Sequence, residues 1–468
     1  MKRILFLLII LTIPFFAFSQ SDDDLFGGSD DDLFGDDSIV EVSDVSAKND
    51  LSKGVIFDSG SIKVGGSLSA GLSTNTILYG PENEELGENI KNTTLTPDLS
   101  ALLSVDARPT ETLRMYTKFG FVYPFEDEAT TVLSKLDMAK QSADFSTSVD
   151  NWFKLKECFT DFSIKDTAYF RFGIHTVTWG AGYFFSPVSD MINTSSIDPE
   201  NPEKQVDGSL NLRTQIVFPN SQNCLWLYVI PSTKFKNQTS ESYARDTALA
   251  GKADILIGSW ELGVGGFWKY QNAPKAMLTA TGSLKKVSFF GEFVYSYGAM
   301  SEWQKNTDWN DKTSIIQATA GLSYYWKDPK ITLAAQYYFE GNDKDFTKKI
   351  TQYGHNFAVM ASKSGLFKNN DLSLSLFAMA NIGHKDATAD DIISLYPEAA
   401  QYASAAQLNE LAKEASGIMP ALTANLMLKY SPINDLSFGM GPSITFKDFE
   451  TNPTTSLKLT ATLGGGNF

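Results

Sequence analysis

The sequence predicts an all-β protein: a transmembrane, antiparallel, up-and-down β-barrel of about 18 strands, with 16 as the alternative, and a disordered acidic N-terminal arm. Three observations predict it. Apolar and polar residues alternate with period two from residue 61 onward, short turns join neighbouring segments as hairpins, and long polar connections alternate with those turns. A sheet can cross hydrocarbon only when it closes and leaves no edge, so this combination favours a membrane barrel over the alternative, a secreted soluble β-protein.

The first residues are typical of an exported protein. Lys2 and Arg3 precede an apolar run over residues 4–16, and small residues follow, so residues 1–19 are predicted to be a cleaved signal peptide. The run is too short to span a bilayer comfortably, and no later segment approaches about eighteen consecutive apolar residues. We therefore expect a location in the outer membrane of a diderm bacterium, with no transmembrane helix.

Residues 20–60 are predicted to be an acidic arm on the periplasmic side. The phrase SDDDLFG occurs twice between Ser21 and Gly35, and the eight aspartates of residues 21–37 have no basic residue among them. Mutually repelling charges with few apolar residues do not form a core, so the arm is predicted to be disordered. Three roles stay open: no partner, binding of a periplasmic partner through each D-L-F, or plugging of the lumen.

Composition and motifs exclude several function classes. The formal charge of −16 disfavours a nucleic-acid partner, and two cysteines are too few for a disulfide scaffold. The sequence has no G-x-S-x-G, no H-E-x-x-H, no glycine-rich phosphate loop and no Cys/His metal spacing. We therefore expect no enzyme, no cofactor and no metal, with a composite site of His175 and a carboxylate such as Asp161 as the remaining alternative.

The alternation assigns one face of each strand to lipid and the other to the lumen. In SLKKVSFFGEFVYSY, Leu284 and Val287 flank the turn Lys285-Lys286, and the apolar face continues through Phe289. Residues 61–468 are predicted to form the barrel. Its strands are predicted to begin near Ser61, Leu99, Leu113, Trp152, Ala168, Ser209, Cys224, Ala248, Trp260, Met277, Val287, Thr313, Ile331, Tyr353, Leu372, Ala421, Leu436 and Thr455.

Many inward positions on the second to sixth strands are basic. We expect the following residues to line the pore: Arg108, Arg114, Lys118, Arg171, His175 and Arg213. Such a basic wall would orient polar or anionic solutes in a narrow lumen. The alternative is that these side chains pair across neighbouring strands and fill a polar interior.

The third external loop contains Pro187, Pro199 and Pro202, which oppose regular structure. We expect this loop to fold inward and to narrow the lumen, with Pro187, Asp190 and Asn193 in the constriction. Capping the outside of the barrel is the alternative path.

The segment FRFGIHTVTWGAGYFFSPVSDMIN, Phe170 to Asn193, resembles a strand and loop of poorly characterised porin-like outer-membrane proteins that carry G-R-Q-x-x-x-W-G, then Pro and D-x-x-N. The resemblance implies a porin-like channel and names no solute. Ile174 and His175 stand where the family has Arg and Gln. The matching residues are Gly173, Trp179, Gly180, Pro187, Asp190 and Asn193.

The predicted function is a channel that passes small polar or anionic solutes. The alternative is a closed barrel that transports hydrophobic compounds or acts as an adhesin. The expected partners are outer-membrane lipid, small solutes and the barrel-assembly machinery, which would read the C-terminal strand ending at Phe468.

Overall fold

The computed structural model describes the chain from residue 57 onward, with gaps. The described residues are 57–58, 60–80, 90, 93, 95–123, 153–165, 167–193, 197, 199–200, 206–219, 221–232, 239–345, 353–383, 386–395, 403–416, 420–433 and 436–467. The predicted signal peptide, nearly all of the predicted acidic arm, Pro202 and Phe468 lie outside them.

The described part of the chain consists mainly of β-strands. The strands are β1 (Phe57–Asp58), β2 (Ile62–Tyr79), β3 (Leu95–Thr110), β4 (Leu113–Tyr123), β5 (Phe153–Ile164), β6 (Ala168–His175), β7 (Ser209–Val217), β8 (Cys224–Ile230), β9 (Ala248–Ile257), β10 (Trp260–Lys269), β11 (Lys275–Leu284), β12 (Val287–Tyr297), β13 (Ser314–Trp326), β14 (Ile331–Glu340), β15 (Gly354–Ser364), β16 (Leu372–Ile382), β17 (Leu422–Ile433), β18 (Leu436–Phe446) and β19 (Thr454–Asn467). Helices occupy Ser240–Asp246, Met300–Gln304, Ala389–Leu395 and Ala405–Ser416. None of the helices described is long and apolar enough to cross a membrane.

The strands β2 to β19 form a closed antiparallel barrel. Each pairs with the next along the chain, and β19 pairs with β2 from Thr455–Tyr79 to Asn467–Ser67, which leaves no free edge. The short β1 pairs only with the start of β2. The prediction of 18 barrel strands is confirmed, and the alternative of 16 is wrong. The predicted strand starts lie within four residues of the observed ones.

The two ends of the barrel differ in their connections. One end, here called the turn end, has tight connections such as Gly258-Ser259 and Lys285-Lys286. The other, the loop end, has long connections such as residues 176–208 and 383–421. The predicted alternation of short and long connections is present around most of the barrel, and the exceptions are the short loop-end connection 270–274 and the longer turn-end connection 365–371.

Side chains alternate between an exposed apolar outer face and an inner face. Leu284 and Val287 are cross-strand partners, as predicted for their hairpin. Outer residues remain accessible even at mid-strand: Leu68 is 59% exposed, Val264 51% and Leu278 52%. A continuous belt of such side chains around a closed sheet is far larger than the apolar patches that water-soluble monomers expose. The outer face therefore matches hydrocarbon as its solvent.

The C-terminal strand closes irregularly. Its pairing with β2 shifts register between Gly464 and Asn467, and Gly464 has φ +92°. A glycine adopts this left-handed conformation without the steric cost that a Cβ would add. The sequence GGGN thus contains a β-bulge, which glycine accommodates.

Gly173 on β6 is required by a close backbone approach. Its φ is +142°, and a Cβ there would lie 2.1 Å from the Cys158 carbonyl oxygen and 2.6 Å from the Phe159 Cα. We expect G173A to destabilise the barrel by about 1–3 kcal/mol or more, because the neighbouring backbone cannot yield easily. The measurement is the unfolding midpoint of the refolded protein in denaturant. G251A is the matched control, because its nearest neighbour would be a Leu227 side-chain atom at 3.4 Å; equal midpoints for the two variants would contradict the expectation.

Candidate functional site

The candidate site is the barrel interior together with the connection between β6 and β7, here called the lumen loop (residues 176–208). The described part of this loop leaves the end of β6 and contacts the inner faces of strands from β8 to β16. These contacts extend around about half of the barrel wall. The loop therefore lies inside the barrel rather than over its rim.

Glu292 on β12 is the strongest polar anchor of the lumen loop. Its Oε1 accepts a hydrogen bond from the Gly182 backbone N–H at 2.8 Å, and its Oε2 accepts one from the Val188 N–H at 3.0 Å. The Ser186 hydroxyl donates a third bond to Oε1 at 3.0 Å. The side chain is only 3% exposed, so these bonds compete little with water. One carboxylate thus satisfies three donors in a turn that has few partners of its own.

Gln336 on β14 and Lys252 on β9 hold the loop on either side of Glu292. The Gln336 Oε1 accepts a bond from the Phe184 N–H at 2.7 Å, and its Nε2 donates to the Phe185 carbonyl at 2.6 Å. The Lys252 ammonium donates to the Trp179 carbonyl at 2.8 Å. Three strands of the wall therefore hydrogen-bond to the loop backbone.

Apolar packing fixes the loop between these polar anchors. Val188 and Phe184 are fully buried, and Phe185 stacks on Tyr338 with ring centroids 5.3 Å apart. Trp179 meets the Tyr228 ring edge-on at 4.8 Å. Burying a large apolar side chain stabilises by about 1.5–3 kcal/mol. The loop and the wall from β8 to β16 consequently form a small hydrophobic core inside the barrel.

The two ends of the loop are tied at its base. The Asn193 side-chain amide accepts from the Val177 N–H and donates to the Val177 carbonyl, both at 2.8 Å. On the return path, Asp207 binds the ammonium groups of Lys154 and Lys156 at 2.7 and 3.1 Å. Burial alone would raise the pKa of Asp207, but the hydrogen bonds from both lysines outweigh it and lower that pKa. Asp207 therefore stays charged and bound at neutral pH.

The structure gives the three predicted constriction residues different places. Pro187 is buried in the loop, and Asp190 is half-buried in the single 3-10 turn Ser189–Met191. Asn193 ties the base of the loop instead of projecting from it.

The wall that the lumen loop does not cover remains accessible. Inward residues under the loop are buried, as Glu292 and Gln336 show. Across the barrel, by contrast, seven inward serines and threonines of β19, β2 and β3 are half-buried, and Ser69 and Ser100 share a hydrogen bond of 2.6 Å. We call this set the hydroxyl wall: Ser67, Ser69, Ser73, Ser100, Ser104, Thr460 and Thr462. These side chains are therefore accessible to solvent on the side of the lumen opposite the loop.

Beside the hydroxyl wall, β3 to β7 carry charged inward residues. Arg114 binds Asp106 at 3.0 Å and lies 3.8 Å from Asp161, and Arg171 binds Asp161 through two nitrogens at 2.7 and 3.1 Å. Arg108, whose side chain is 59% exposed, binds Asp106 at 3.3 Å. The predicted basic wall is thus interleaved with carboxylates, as expected where opposite charges face each other across strands.

Basic residues still outnumber the carboxylates on these five strands. Arg171 and Arg213 are direct cross-strand partners on the inner face, and each is 6% exposed. Arg171 lies 3.9 Å above the Phe159 ring, and Arg213 lies 5.5 Å from the Trp226 ring. Lys118 faces Glu157 across β4 and β5. The arrangement is a chain of alternating and adjacent charges with an excess of basic groups, which the lysines supply.

His175 points inward but is fully buried, and its ring meets the Phe159 ring edge-on with the ring centroids 5.9 Å apart. Neither ring nitrogen has a hydrogen-bond partner, so His175 and Asp161 do not form the composite site that the sequence left open. Asp161 binds arginines instead. Within the described ranges there is no group of three side chains that could hold a metal ion.

Sequence reasoning missed the residues that hold the loop. The residues expected to line or constrict the pore include neither Glu292 nor Gln336. Both occupy inward positions in the middle of otherwise apolar or small-residue stretches, which is the one local signal that marks them. Their partners in the lumen loop are more than 100 residues away in the chain.

Several solved porins have similar structures, although neither a family model nor a curated protein matches the sequence. A BenF-like porin from Pseudomonas fluorescens Pf-5 is 6% identical with a TM-score of 0.48, covering 86% of this chain and 98% of that one. OccK10 from Pseudomonas aeruginosa is 10% identical, with a TM-score of 0.46 and coverages of 86% and 99%. A triple mutant of the Rhodopseudomonas blastica porin is 11% identical, with a TM-score of 0.38 and the same coverages. The function of this chain has to follow from its own lumen.

Proposed function

We propose that this protein is an outer-membrane channel that passes small polar solutes, with a preference for anions. The observation that carries the proposal is the division of the lumen. The lumen loop is anchored along the wall from β8 to β16, and the hydroxyl wall remains accessible to solvent together with the neighbouring charges of β3 and β4.

The exposed apolar outer face supports a membrane location. A closed sheet satisfies its backbone hydrogen bonds internally, so it can expose this face to hydrocarbon at no cost in unpaired donors or acceptors. The sequence features of a signal peptide at residues 1–19 support export. On this proposal the turn end faces the periplasm and the loop end faces the outside, as in bacterial barrels with short periplasmic turns.

The lining supports polar solutes. The hydroxyl groups can replace part of the hydration shell of a passing solute, and the charged residues beside them orient it. The excess of arginine and lysine on β3 to β7 supports a preference for anions, although the interleaved carboxylates limit its strength. An apolar solute would find little matching surface along this path.

Planar-bilayer conductance tests the proposal. We expect the purified full-length protein to open ion-conducting pores, with a reversal potential in a salt gradient that indicates anion preference. The substitution of Arg114, Lys118, Arg171 and Arg213 by Gln should shift that potential towards the cation side, because it removes the basic excess but leaves the carboxylates.

The matched control changes four lysines outside the lumen, K305Q/K344Q/K413Q/K447Q, which alters the formal charge equally. Absence of conductance from well-folded protein would overturn the channel itself. An unchanged reversal potential in the lumen variant, or an equal shift in the control, would overturn the role of the basic residues.

A further inference from the structure

The turn end of the barrel carries a cluster of lysines that the proposed channel function does not use. Six lysines lie in or next to three connections, two at each connection. We call this set the lysine rim: Lys285, Lys286, Lys327, Lys330, Lys363 and Lys368. The only acids on the same connections are Asp328 and Asp371. This surface is therefore basic in a chain whose formal charge is −16.

The rim is one continuous surface. Its lysines lie on the connections between β11 and β12, β13 and β14, and β15 and β16, and these strands are consecutive neighbours in the barrel. Five of the six lysines are exposed, and Lys363 is half-buried. Lys330 also bonds the Asn370 side chain at 3.3 Å, which joins two of the connections.

The position of Lys363 indicates that the rim lies at the membrane surface. It shares the outward parity of Phe357 and Val359, and its cross-strand partners are Ile331 and Leu374. An ammonium group on this outer, apolar face is costly in hydrocarbon but favourable at the level of lipid headgroups. Its position on the lipid-facing side therefore places the rim beside headgroups rather than only beside water.

Phe367 adds an apolar group to the same surface. It is 91% exposed and sits in the connection between β15 and β16, next to Lys368. An aromatic side chain fully exposed beside lysines suits a membrane interface, where the ring can enter the acyl boundary and the ammonium groups remain at the phosphates.

We propose that the lysine rim binds the headgroups of anionic phospholipids in the leaflet at the turn end of the barrel. This inference rests on the proposed membrane location. The attraction arises because each rim ammonium group sits close to negatively charged phosphates, and it weakens with salt. The rim recognises the negative charge of the headgroup at the level of the membrane interface. An anionic lipid such as phosphatidylglycerol should therefore be preferred over the zwitterionic phosphatidylcholine.

The test uses full-length protein reconstituted in bilayers of equal parts phosphatidylglycerol and phosphatidylcholine, then extracted gently. The lipids that remain bound are counted by native mass spectrometry. We expect a several-fold enrichment of phosphatidylglycerol for the unaltered protein and loss of this enrichment for K285Q/K286Q/K363Q/K368Q. The control K305Q/K344Q/K413Q/K447Q has the same charge change at the loop end and should keep the enrichment.

The outcomes separate the two proposals. Enrichment that survives in the rim variant, or is lost equally in the control, would overturn the lysine rim as a lipid site even if every protein conducts. Failure of the unaltered protein to enter bilayers or to conduct would instead overturn the proposed channel. Conductance of the rim variant checks that a lost enrichment does not reflect misfolding.

Discussion

E292A should enlarge the pore, because it removes the carboxylate that holds the lumen loop against β12. Three donors, the Gly182 N–H, the Val188 N–H and the Ser186 hydroxyl, would lose their acceptor in a buried site. Each unsatisfied buried donor costs about 1–3 kcal/mol, so the seated loop should become much less favourable than a displaced one. We expect single-channel conductance to rise several-fold and to become noisier as the loop leaves the wall.

E292Q and E261A refine this measurement. E292Q keeps one acceptor oxygen in nearly the same shape, so its conductance should fall between those of the unaltered protein and E292A. E261A removes an exposed inward carboxylate on β10 and serves as the matched control, with conductance expected to stay close to the unaltered value. If E292A conducts like E261A, the Glu292 contacts do not restrict the pore.

S69W should nearly close the channel, because Ser69 lies on the hydroxyl wall opposite the lumen loop. The serine side chain is small and half-buried, and its hydroxyl bonds only to its neighbour Ser100 in the contacts observed. An indole in its place would project into the accessible half of the lumen. We expect a large fall in conductance, measured in planar bilayers, with the folded barrel retained.

The adjacent residue supplies the control. Leu68 is 59% exposed on the outer face, and consecutive residues of a strand point to opposite faces. L68W therefore adds the same indole to the lipid side and should leave conductance unchanged. Equal conductance in S69W and L68W would show that ions do not pass along the hydroxyl wall, and a block by L68W alone would reverse the assignment of the two faces.

The interior of the barrel is divided between the lumen loop and the accessible side opposite it. The loop packs on apolar inner residues of β8 to β16 and hydrogen-bonds to the Glu292 carboxylate and the Gln336 amide. Solutes are left with hydroxyl and charged residues on the other side. On the proposed channel function, selectivity depends on loop anchors that never touch a solute as well as on the residues that do.

The sequence alone was sufficient for the fold because its signal is local and repeated. In each strand the period-two alternation indicates which residues face outward and which face inward. Each tight turn, such as Lys285-Lys286, sets the register of its hairpin. When eighteen such segments are linked by hairpins, the sheet must close into a barrel so that no edge strand is left with unpaired backbone groups. The outward positions of Leu284 and Val287 and the strand boundaries therefore follow without tertiary information.

The path of the lumen loop could not be predicted in the same way. Its position depends on Gly182 meeting Glu292 and Phe184 meeting Gln336, pairs separated by 110 and 152 residues. The prolines indicated only that the loop would be irregular. Similarly, parity placed Arg114 and Arg171 on the inner face, but the proximity of Asp161 to both depends on how the side chains extend across paired strands.

By itself the sequence determined the barrel, its strand number and which side chains face inward, because alternation and turn spacing act over a few residues. Only the tertiary structure decided which half of the lumen is filled and which is accessible. The physical reason is that the position of the loop depends on many weak contacts with strands that are distant in the chain. That coincidence exists only after the barrel has closed and brought Glu292, Gln336 and Lys252 to one inner surface.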